Sequence, residues 1–332
     1  MPLSASIELE RFTRARERIR GAVHRTPVLS SLALGERIGV PVLLKAEHLQ
    51  KTGSFKPRGA LSRILQLRPD ERSRGVVTIS AGNHAQAVAW AAARAGVPAT
   101  VVMPAGASRA KAAASAGYGA EVVLHGTVFE AFQKARDLAS ERRLTFVHPF
   151  DDPEVLGGQG TVGLEIAEDV PEAGTVVVPV GGGGLIAGVA TALSYVLPRA
   201  RIWGVEPEGA CAMHQSLERG SPVRLEGVDT VADGLGAPMA GELTYPLVRD
   251  HTEGVVLVSD DEIVSAMAFL YERTKQAVEP AGAAGVAALL SGKIPVADGP
   301  VVVILSGGNV DLDRLAVLLQ RAVALRSAEA PA

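Results

Sequence analysis

Short apolar runs alternate with helical patterns along most of the chain. The first segment, Ile7–Val23, places apolar residues at spacings near three and four, which predicts an amphipathic helix. Later runs of β-branched and aliphatic residues predict strands, at 42–44, 76–79, 100–103, 122–124, 146–147, 175–180, 202–205, 255–258 and 301–305. Helical patterns lie between them, at 60–67, 85–95, 109–116, 128–142, 162–169, 185–197, 261–274 and 281–290.

Strands that alternate with helices and are continuously apolar are typical of parallel sheets covered on both faces. The chain has more strand–helix units than one compact sheet can hold, so we predict two doubly wound α/β domains. We expect residues 1–50 and 148–326 to form a large domain and residues 51–147 a small one. His148–Pro153 and Gly157–Gly160 are interpreted as a crossover between them, and the tail after Arg326 is expected to fray.

Composition excludes several classes of protein. Net charge is −3 with both signs interspersed, which gives no electrostatic footprint for nucleic acid. The single cysteine, Cys211, excludes an internal disulfide and fits a reducing compartment. We find no secretory signal pattern and no apolar run of membrane-spanning length, so we expect a cytoplasmic protein without a membrane partner.

One lysine stands in an unusual setting. In the stretch Lys51–Ala60, Lys56 follows a glycine-containing loop and precedes a proline, a residue that commonly opens a helix. An amine held at the end of an apolar strand is well placed to attack a carbonyl cofactor. Alone, Lys56 would be interpreted as a solvated lysine, because most lysines lie at the surface.

Four successive glycines, Gly181–Gly184, come directly after one predicted strand and directly before a helix. Glycines let a backbone approach a ligand closely, and the helix N-terminus behind them favours an anion. This pattern predicts a phosphate-binding loop. A dinucleotide site is a weaker interpretation, because only Glu206 could supply the acidic residue that such a site requires.

Two further polar segments also follow predicted strands. Ser80–Gln86 offers small side chains and free amides for a carboxylate, although a serine there could simply cap a helix. Leu305–Asp311 offers the Ser306 hydroxyl to a heterocyclic nitrogen. Ligands bind at the carboxyl ends of strands in open α/β sheets, so these segments and the two above predict one shared site.

Together these motifs resemble the fold type II enzymes that use pyridoxal 5′-phosphate (PLP), specifically the threonine dehydratase and serine racemase group. The resemblance covers nearly the whole chain, in the family's order. It implies a tryptophan synthase beta-like fold with the cofactor in the cleft between the two domains. The motifs that carry it are Glu47–Ala60, Ser80–Gln86, Gly158–Thr161, Gly181–Gly184, Val278–Pro280 and Leu305–Asp311.

The resemblance also implies roles for individual residues. Lys56 would bind the cofactor covalently and act as the catalytic base, with Phe55 packed beside the cofactor ring. Asn83 would bind the phenolic oxygen, and Ser306 the pyridine nitrogen. The remaining implied residues are Gly181, Gly182, Gly183, Gly184 and Leu185 for the phosphate, Glu279 and Gly307 for the cofactor, and Ser54, Ser80, Ala81, Asn83 and His84 for the substrate.

The implied reaction is β-elimination of water from L-threonine or L-serine, giving 2-oxobutanoate or pyruvate and ammonia. Serine racemases carry a second serine where this chain has Ala81, which favours dehydration over racemisation. Within the same group, a serine racemase-like enzyme and a dehydratase for hydroxyaspartate or phenylserine stay open as interpretations. An acidic substrate would require an arginine such as Arg58 or Arg109, and we interpret both as solvated helix residues.

Several further expectations rest on the resemblance. Glu206 and Ala210 match two positions of the racemase cation site and are weak candidates for binding a cation, but the third position is Ala212 and not a carboxylate, so cation binding stays open. A homodimer is expected, without the regulatory C-terminal domain of biosynthetic threonine dehydratases. A non-catalytic phosphate- or nucleotide-binding module is the alternative from a different class, because a fold alone does not determine function.

Overall fold

The computed structural model describes residues 7–329 and divides their strands between two sheets. Most of these strands coincide with the apolar runs of the sequence. β-branched residues favour extended backbone, and their burial on both faces stabilises such strands. The strands are β1 (Val28–Ser30), β2 (Val42–Lys45), β3 (Val76–Ile79), β4 (Ala99–Met103), β5 (Glu121–Leu124), β6 (Thr145–Phe146), β7 (Thr175–Pro179), β8 (Arg201–Pro207), β9 (Gly254–Val258) and β10 (Val301–Ile304).

The larger sheet has six strands in the order β1-β2-β10-β7-β8-β9, and the smaller has four in the order β5-β4-β3-β6. Every pair is parallel except β1 with β2, which run antiparallel. Strand β10 lies at the centre of the large sheet, where Val302 pairs with Leu43 on one side and Val176 on the other. The carboxyl ends of β2, β10 and β7 therefore meet at one edge.

Helices cover both sheets, and several begin at the capping residues that the sequence offers. Asp152 and Ser259 accept hydrogen bonds from first-turn amides of their helices, which satisfies otherwise unpaired donors. The helices are α1 (Leu9–Ile19), α2 (Leu32–Ile38), α3 (Lys56–Ile64), α4 (Pro69–Arg74), α5 (Asn83–Ala95), α6 (Arg109–Gly117), α7 (Val128–Glu141), α8 (Pro153–Asp169), α9 (Gly184–Val196), α10 (Ala212–Arg219), α11 (Thr244–His251), α12 (Asp260–Phe269), α13 (Pro280–Leu290) and α14 (Leu312–Glu329).

One segment corrects the sequence interpretation. Gly157–Gly160 does not form a crossover loop but lies inside α8. A Cβ on Gly160 would lie 2.3 Å from the Phe12 ring, and one on Gly158 would lie 2.4 Å from the Arg58 carbonyl oxygen. These glycines therefore serve close helix packing, which offsets their low helix propensity.

The fold class predicted from the sequence, α/β with parallel sheets, is confirmed. The strands of the small sheet lie between residues 76 and 146, and the exact domain boundaries stay a prediction. The expected fraying after Arg326 is wrong for residues 327–329, which continue α14, and residues 330–332 lie outside the described chain. Across residues 7–329, no helix has the length and apolar character needed to cross a membrane.

Candidate active site

Lys56 is the first residue of α3 and follows the segment that leaves β2. Its side chain is partly buried, and its Nζ donates a hydrogen bond to the Pro149 carbonyl oxygen at 2.9 Å. Burial lowers the pKa of this amine to about 8, while the nearby Glu279 opposes that shift. A larger share of the amine is thus neutral near physiological pH than for an exposed lysine. Phe55 lies alongside, its ring centroid 5.1 Å from Nζ.

Backbone hydrogen bonds join the Lys56 loop to the turn after β10. The Phe55 amide donates to the Ser306 carbonyl at 3.1 Å, and the Gly308 amide donates to Gly53 at 2.9 Å. Ser54 and Gly307 also form an isolated antiparallel bridge. The two segments are therefore held in register by main-chain contacts that do not depend on side chains.

The four glycines after β7 form a tight turn into α9. Gly183 has φ +90°, a left-handed conformation that glycine adopts without strain. A Cβ at Gly182 would lie 2.4 Å from the Phe150 ring, and one at Gly184 would lie 2.8 Å from the Phe150 Cβ. Among residues 7–329, no protein acceptor pairs with the amides of Gly181, Gly182 or Gly183. These free amides and the helix N-terminus form a cradle for an anion.

Two residues that sequence reasoning missed support this cradle. Thr244 Oγ1 donates to the Gly182 carbonyl at 2.7 Å. Asp151 accepts the amides of Leu243 and Thr244 at 2.9 and 3.2 Å, and so holds the start of α11 in place. Asp151 and Phe150 lay in the segment interpreted only as a crossover, and Thr244 carried no sequence signal.

Asn83 is the first residue of α5, after β3 of the small sheet. Its Nδ2 donates to Glu279 Oε1 at 2.6 Å, and its Oδ1 accepts from Asn309 Nδ2 at 2.8 Å. Both ends of the amide are thus engaged, which fixes its orientation and leaves one Nδ2 hydrogen free. Burial raises the pKa of Glu279 to about 7, although Lys111 opposes the shift.

The other residues of the loop after β3 occupy different environments. Ser80 does not cap α5; its Oγ accepts the Gly82 amide at 3.1 Å, while Ala81 is exposed. His84 is buried, and its Nε2 lies 3.2 Å from the Val147 carbonyl oxygen. Burial holds the pKa of His84 well below its ordinary value, so the ring is neutral and is not suited to act as an acid at neutral pH.

Ser306 and Gly307 lie beside Glu279, on the large-sheet side of the cleft. The Ser306 hydroxyl is buried and lies 3.4 Å from the Ala281 carbonyl, a long contact for a hydroxyl donor. A Cβ on Gly307 would lie 2.2 Å from Glu279 Oε1. Glycine therefore keeps this side chain next to Asn83.

Glu206 lies one strand further along, at the end of β8. Its carboxylate accepts the amides of Met213 and His214 at 2.9 and 2.8 Å, and so caps α10. Burial raises its pKa to about 8 despite these hydrogen bonds. Ala210 lies in the turn between them. Within residues 7–329, no three His, Cys, Asp or Glu side chains are grouped to hold a metal ion.

The structure brings Lys56, the glycine loop, Asn83, Glu279 and Ser306 to one cleft, and this arrangement fits PLP. The free amides suit the phosphate, and burial lowers the pKa of the Lys56 amine. Ser54 Oγ and His84 Nδ1 are buried with no hydrogen-bond partner among residues 7–329. Buried polar atoms require partners, so a bound ligand would satisfy them.

Arg58 and Arg109 were interpreted as solvated. Arg109 is exposed, but that interpretation is wrong for Arg58, which is only 1% exposed and pairs with two carboxylates. Neither arginine is therefore a free cation in the site.

Comparisons with known proteins agree with this geometry. The family described as "Pyridoxal-phosphate dependent enzyme" matches residues 19–307. An L-threonine ammonia-lyase of Thermotoga maritima is 46% identical over 93% of this chain and 77% of its own length. The crystal structure of a threonine deaminase from T.th. is 44% identical, with a TM-score of 0.87 over 92% of this chain and 99% of that one. A maize serine racemase structure is 39% identical, with a TM-score of 0.90 over 96% and 99% of the two chains. The chain therefore belongs to the family of pyridoxal-phosphate dependent enzymes.

Proposed function

We propose that this chain is a PLP-dependent dehydratase, an ammonia-lyase, for L-threonine and L-serine. The observation that carries the proposal is the partly buried Lys56 amine, which lies in one cleft with a cradle of unpaired amides. The relatives named for threonine ammonia-lyase and threonine deaminase support the substrate class. The family membership favours an enzyme over a non-catalytic phosphate-binding module.

The geometry supports the following roles for the protein's own residues. PLP, when bound, supplies an electron sink for the electrons of the broken Cα–H bond. Lys56 would remove the α-proton, the β-hydroxyl would leave and take up that proton to form water, and hydrolysis of the resulting enamine would give an oxo acid and ammonia. The phosphate would be held by Gly181, Gly182, Gly183, Gly184 and Leu185, and the cofactor ring by Phe55, Asn83, Glu279, Ser306 and Gly307. The substrate-carboxylate site would be lined by Ser54, Ser80, Ala81, Asn83 and His84.

In this proposal, Ala81 decides between dehydration and racemisation, the two activities of the threonine dehydratase and serine racemase group. A racemase must donate a proton from the face opposite Lys56. Ala81 has no proton to donate, and the nearby His84 is neutral and already contacts the Val147 carbonyl. Racemisation is therefore slow relative to dehydration in this proposal.

The assembly and location form part of the proposal. We infer a cytoplasmic homodimer, with residues 51–147 as the small domain. The homodimer is expected from the resemblance to the threonine dehydratase and serine racemase group. Light scattering of the purified protein distinguishes a dimer from a monomer.

A panel of β-hydroxy amino acids tests the proposal. We expect release of 2-oxobutanoate from L-threonine and pyruvate from L-serine, with little D-serine formed. Ala81→Ser is the matched variant, because it adds a hydroxyl at an exposed position, and we expect it to raise racemisation. Activity confined to hydroxyaspartate or phenylserine would make that amino acid the substrate in place of L-threonine and L-serine. Release of no oxo acid from any amino acid of the panel would contradict the proposal.

A further inference from the structure

Two basic and two acidic side chains form a buried cluster beneath α3. Lys45 and Glu47 come from the end of β2 and the turn after it, Arg58 from the first turn of α3, and Glu165 from α8. All four are at most 6% exposed. We call these four residues the Arg58 network.

Arg58 is the centre of this network. Its Nε and Nη2 donate to the two Glu47 oxygens at 2.9 and 2.8 Å. Its Nη1 and Nη2 donate to the two Glu165 oxygens at 2.7 and 2.8 Å, and Nη1 also donates to Thr161 Oγ1 at 3.1 Å. The planar guanidinium thus fixes two carboxylates from different elements in one arrangement, which a lysine cannot do.

The network is balanced in charge. Lys45 Nζ donates to Glu165 Oε2 and to the Thr26 carbonyl, both at 2.7 Å. Burial alone would raise the pKa of Glu47, but the charge and hydrogen bonds of Arg58, together with Lys45 and Thr26, outweigh it and hold the pKa below its ordinary value. Both carboxylates face a cation, as buried charges require.

Stability alone does not account for this arrangement. Replacing a buried ion network with well-packed apolar residues is often neutral or stabilising, because taking charges out of water is costly. What the charged groups add is directional: the hydrogen bonds of Arg58 hold α3 at one distance and one rotation relative to α8 and to the turn after β2.

The close contact between α3 and α8 makes that rotation matter. A Cβ on Gly59 would lie 2.4 Å from Gln159 Nε2, and one on Gly158 would lie 2.4 Å from the Arg58 carbonyl oxygen. The backbone of α3 therefore rests directly on α8 at the turn that carries Lys56. A small shift of that turn moves Lys56 Nζ, which lies 2.9 Å from the Pro149 carbonyl.

We propose that Arg58 is a positioning residue for Lys56: its two carboxylate pairs fix the first turn of α3 and so place the amine against the cofactor aldehyde. This inference rests on the proposed function, in which Lys56 bonds PLP. Misplacement of a reacting group by about 1 Å can cost roughly a hundredfold in rate.

The test compares holoenzymes at saturating PLP, normalised to folded protein. Arg58→Lys keeps the charge but loses the fork geometry. Arg63→Lys is the matched control: the same substitution on the same helix, at a partly exposed arginine whose Nε donates to Asp152 at 3.1 Å. Lys45→Met removes a buried charge that contacts Glu165 and Thr26 but no residue of α3.

Two quantities are measured: the fraction of the Lys56 peptide that carries cofactor after borohydride reduction, and kcat separately from KM. We expect Arg58→Lys to lower the labelled fraction and to lower kcat roughly tenfold to a hundredfold with little change in KM. We expect Arg63→Lys to match the wild type. Lys45→Met should lower the melting temperature but keep the labelling.

Equal labelling and kcat in Arg58→Lys and Arg63→Lys would overturn the inference, as would losses that merely follow the melting temperature in all three variants. If Arg58→Lys does not fold, Thr161→Val removes one hydrogen bond to Nη1 and is judged by the same two quantities. A wild-type protein that carries no label on Lys56 overturns the proposed function, and this inference with it. Labelled wild type with unaffected Arg58 variants overturns the inference alone.

Discussion

The two sheets contribute to the site in different ways. The large sheet brings the ends of three adjacent strands together, and main-chain hydrogen bonds such as Phe55 to Ser306 join their loops. The small-sheet side brings the loop after β3 and helix α6, which meet the other side through side chains: Asn83 with Glu279 and Lys111 with Asp233. The large-sheet half of the site is thus joined by backbone hydrogen bonds, whereas the small-sheet half meets it through side-chain contacts.

The largest expected effect is the loss of the lysine. Lys56→Ala should lower oxo-acid release from L-threonine by at least about a thousandfold, because no other amine replaces the base. Circular dichroism should be unchanged, since the side chain contributes one hydrogen bond, to Pro149. Turnover close to that of the wild type would contradict the role of Lys56 as the base and would remove the reaction from the large-sheet half of the site.

The buried carboxylate behind the glycine loop should make stability depend on pH. Burial raises the pKa of Glu206 to about 8, so the folded state binds its proton more tightly than the unfolded state does. Its favourable contribution is therefore fully present below about pH 4.5 and is lost as pH rises through about 8.

Glu206→Gln removes this dependence and isolates the group. The difference in unfolding free energy between variant and wild type should change by up to a few kcal/mol between pH 4.5 and 8, in favour of the variant at high pH. Urea unfolding at several pH values measures it. The raised pKa of Glu279 makes stability depend on pH in the same direction, but this contribution is present in both proteins and cancels in the difference. A difference that does not change with pH contradicts the assignment.

The glycine loop should tolerate no side chain. Gly182→Ala places a methyl group 2.4 Å from the Phe150 ring, and such overpacking costs about 1–3 kcal/mol. PLP affinity should fall about tenfold or more in a fluorescence titration. Gly117→Ala is the matched control, because a Cβ there has no neighbour within 4 Å. Equal PLP affinity in both variants would show that the loop does not bind the phosphate.

The smallest expected effect concerns the contact across the cleft. Lys111→Met removes the pair with Asp233, at 2.9 Å, and partly exposed pairs contribute about 0–1 kcal/mol. We expect KM for L-threonine to rise by up to about fivefold while PLP affinity stays unchanged. Arg142→Met removes a pair with Glu121 that lies within the small-sheet side, and should change neither. A loss of PLP affinity in Lys111→Met would show that the small-sheet contact also supports cofactor binding, and so would contradict the distinction between the two halves.

Much of the fold could be predicted from the sequence, because buried parallel strands are continuous apolar runs. Strand β3 occupies the predicted residues, and most of the others differ by one or two residues at their ends. The missed elements are those whose apolar pattern is short or mixed with polar residues: the three-residue edge strand β1 and the helices α2, α4, α10, α11 and α14.

The site was predictable as four loops but not as a network. Proximity of the loops follows from strand order, whereas the contacts between them depend on packing that a single sequence does not encode locally. Asn309 stood in a quoted motif without a role, yet its amide fixes that of Asn83. Arg58 has the spacing of a surface helix residue, and its burial arises from the approach of α8 and of the turn after β2.

The central claim is that Lys56 forms the covalent bond to the cofactor. Borohydride reduction of the purified wild-type holoenzyme, followed by peptide mass spectrometry, tests it most directly. The account predicts one labelled peptide, with the reduced cofactor on Lys56. Label on another lysine, such as Lys51 or Lys111, or no label at all, would contradict it.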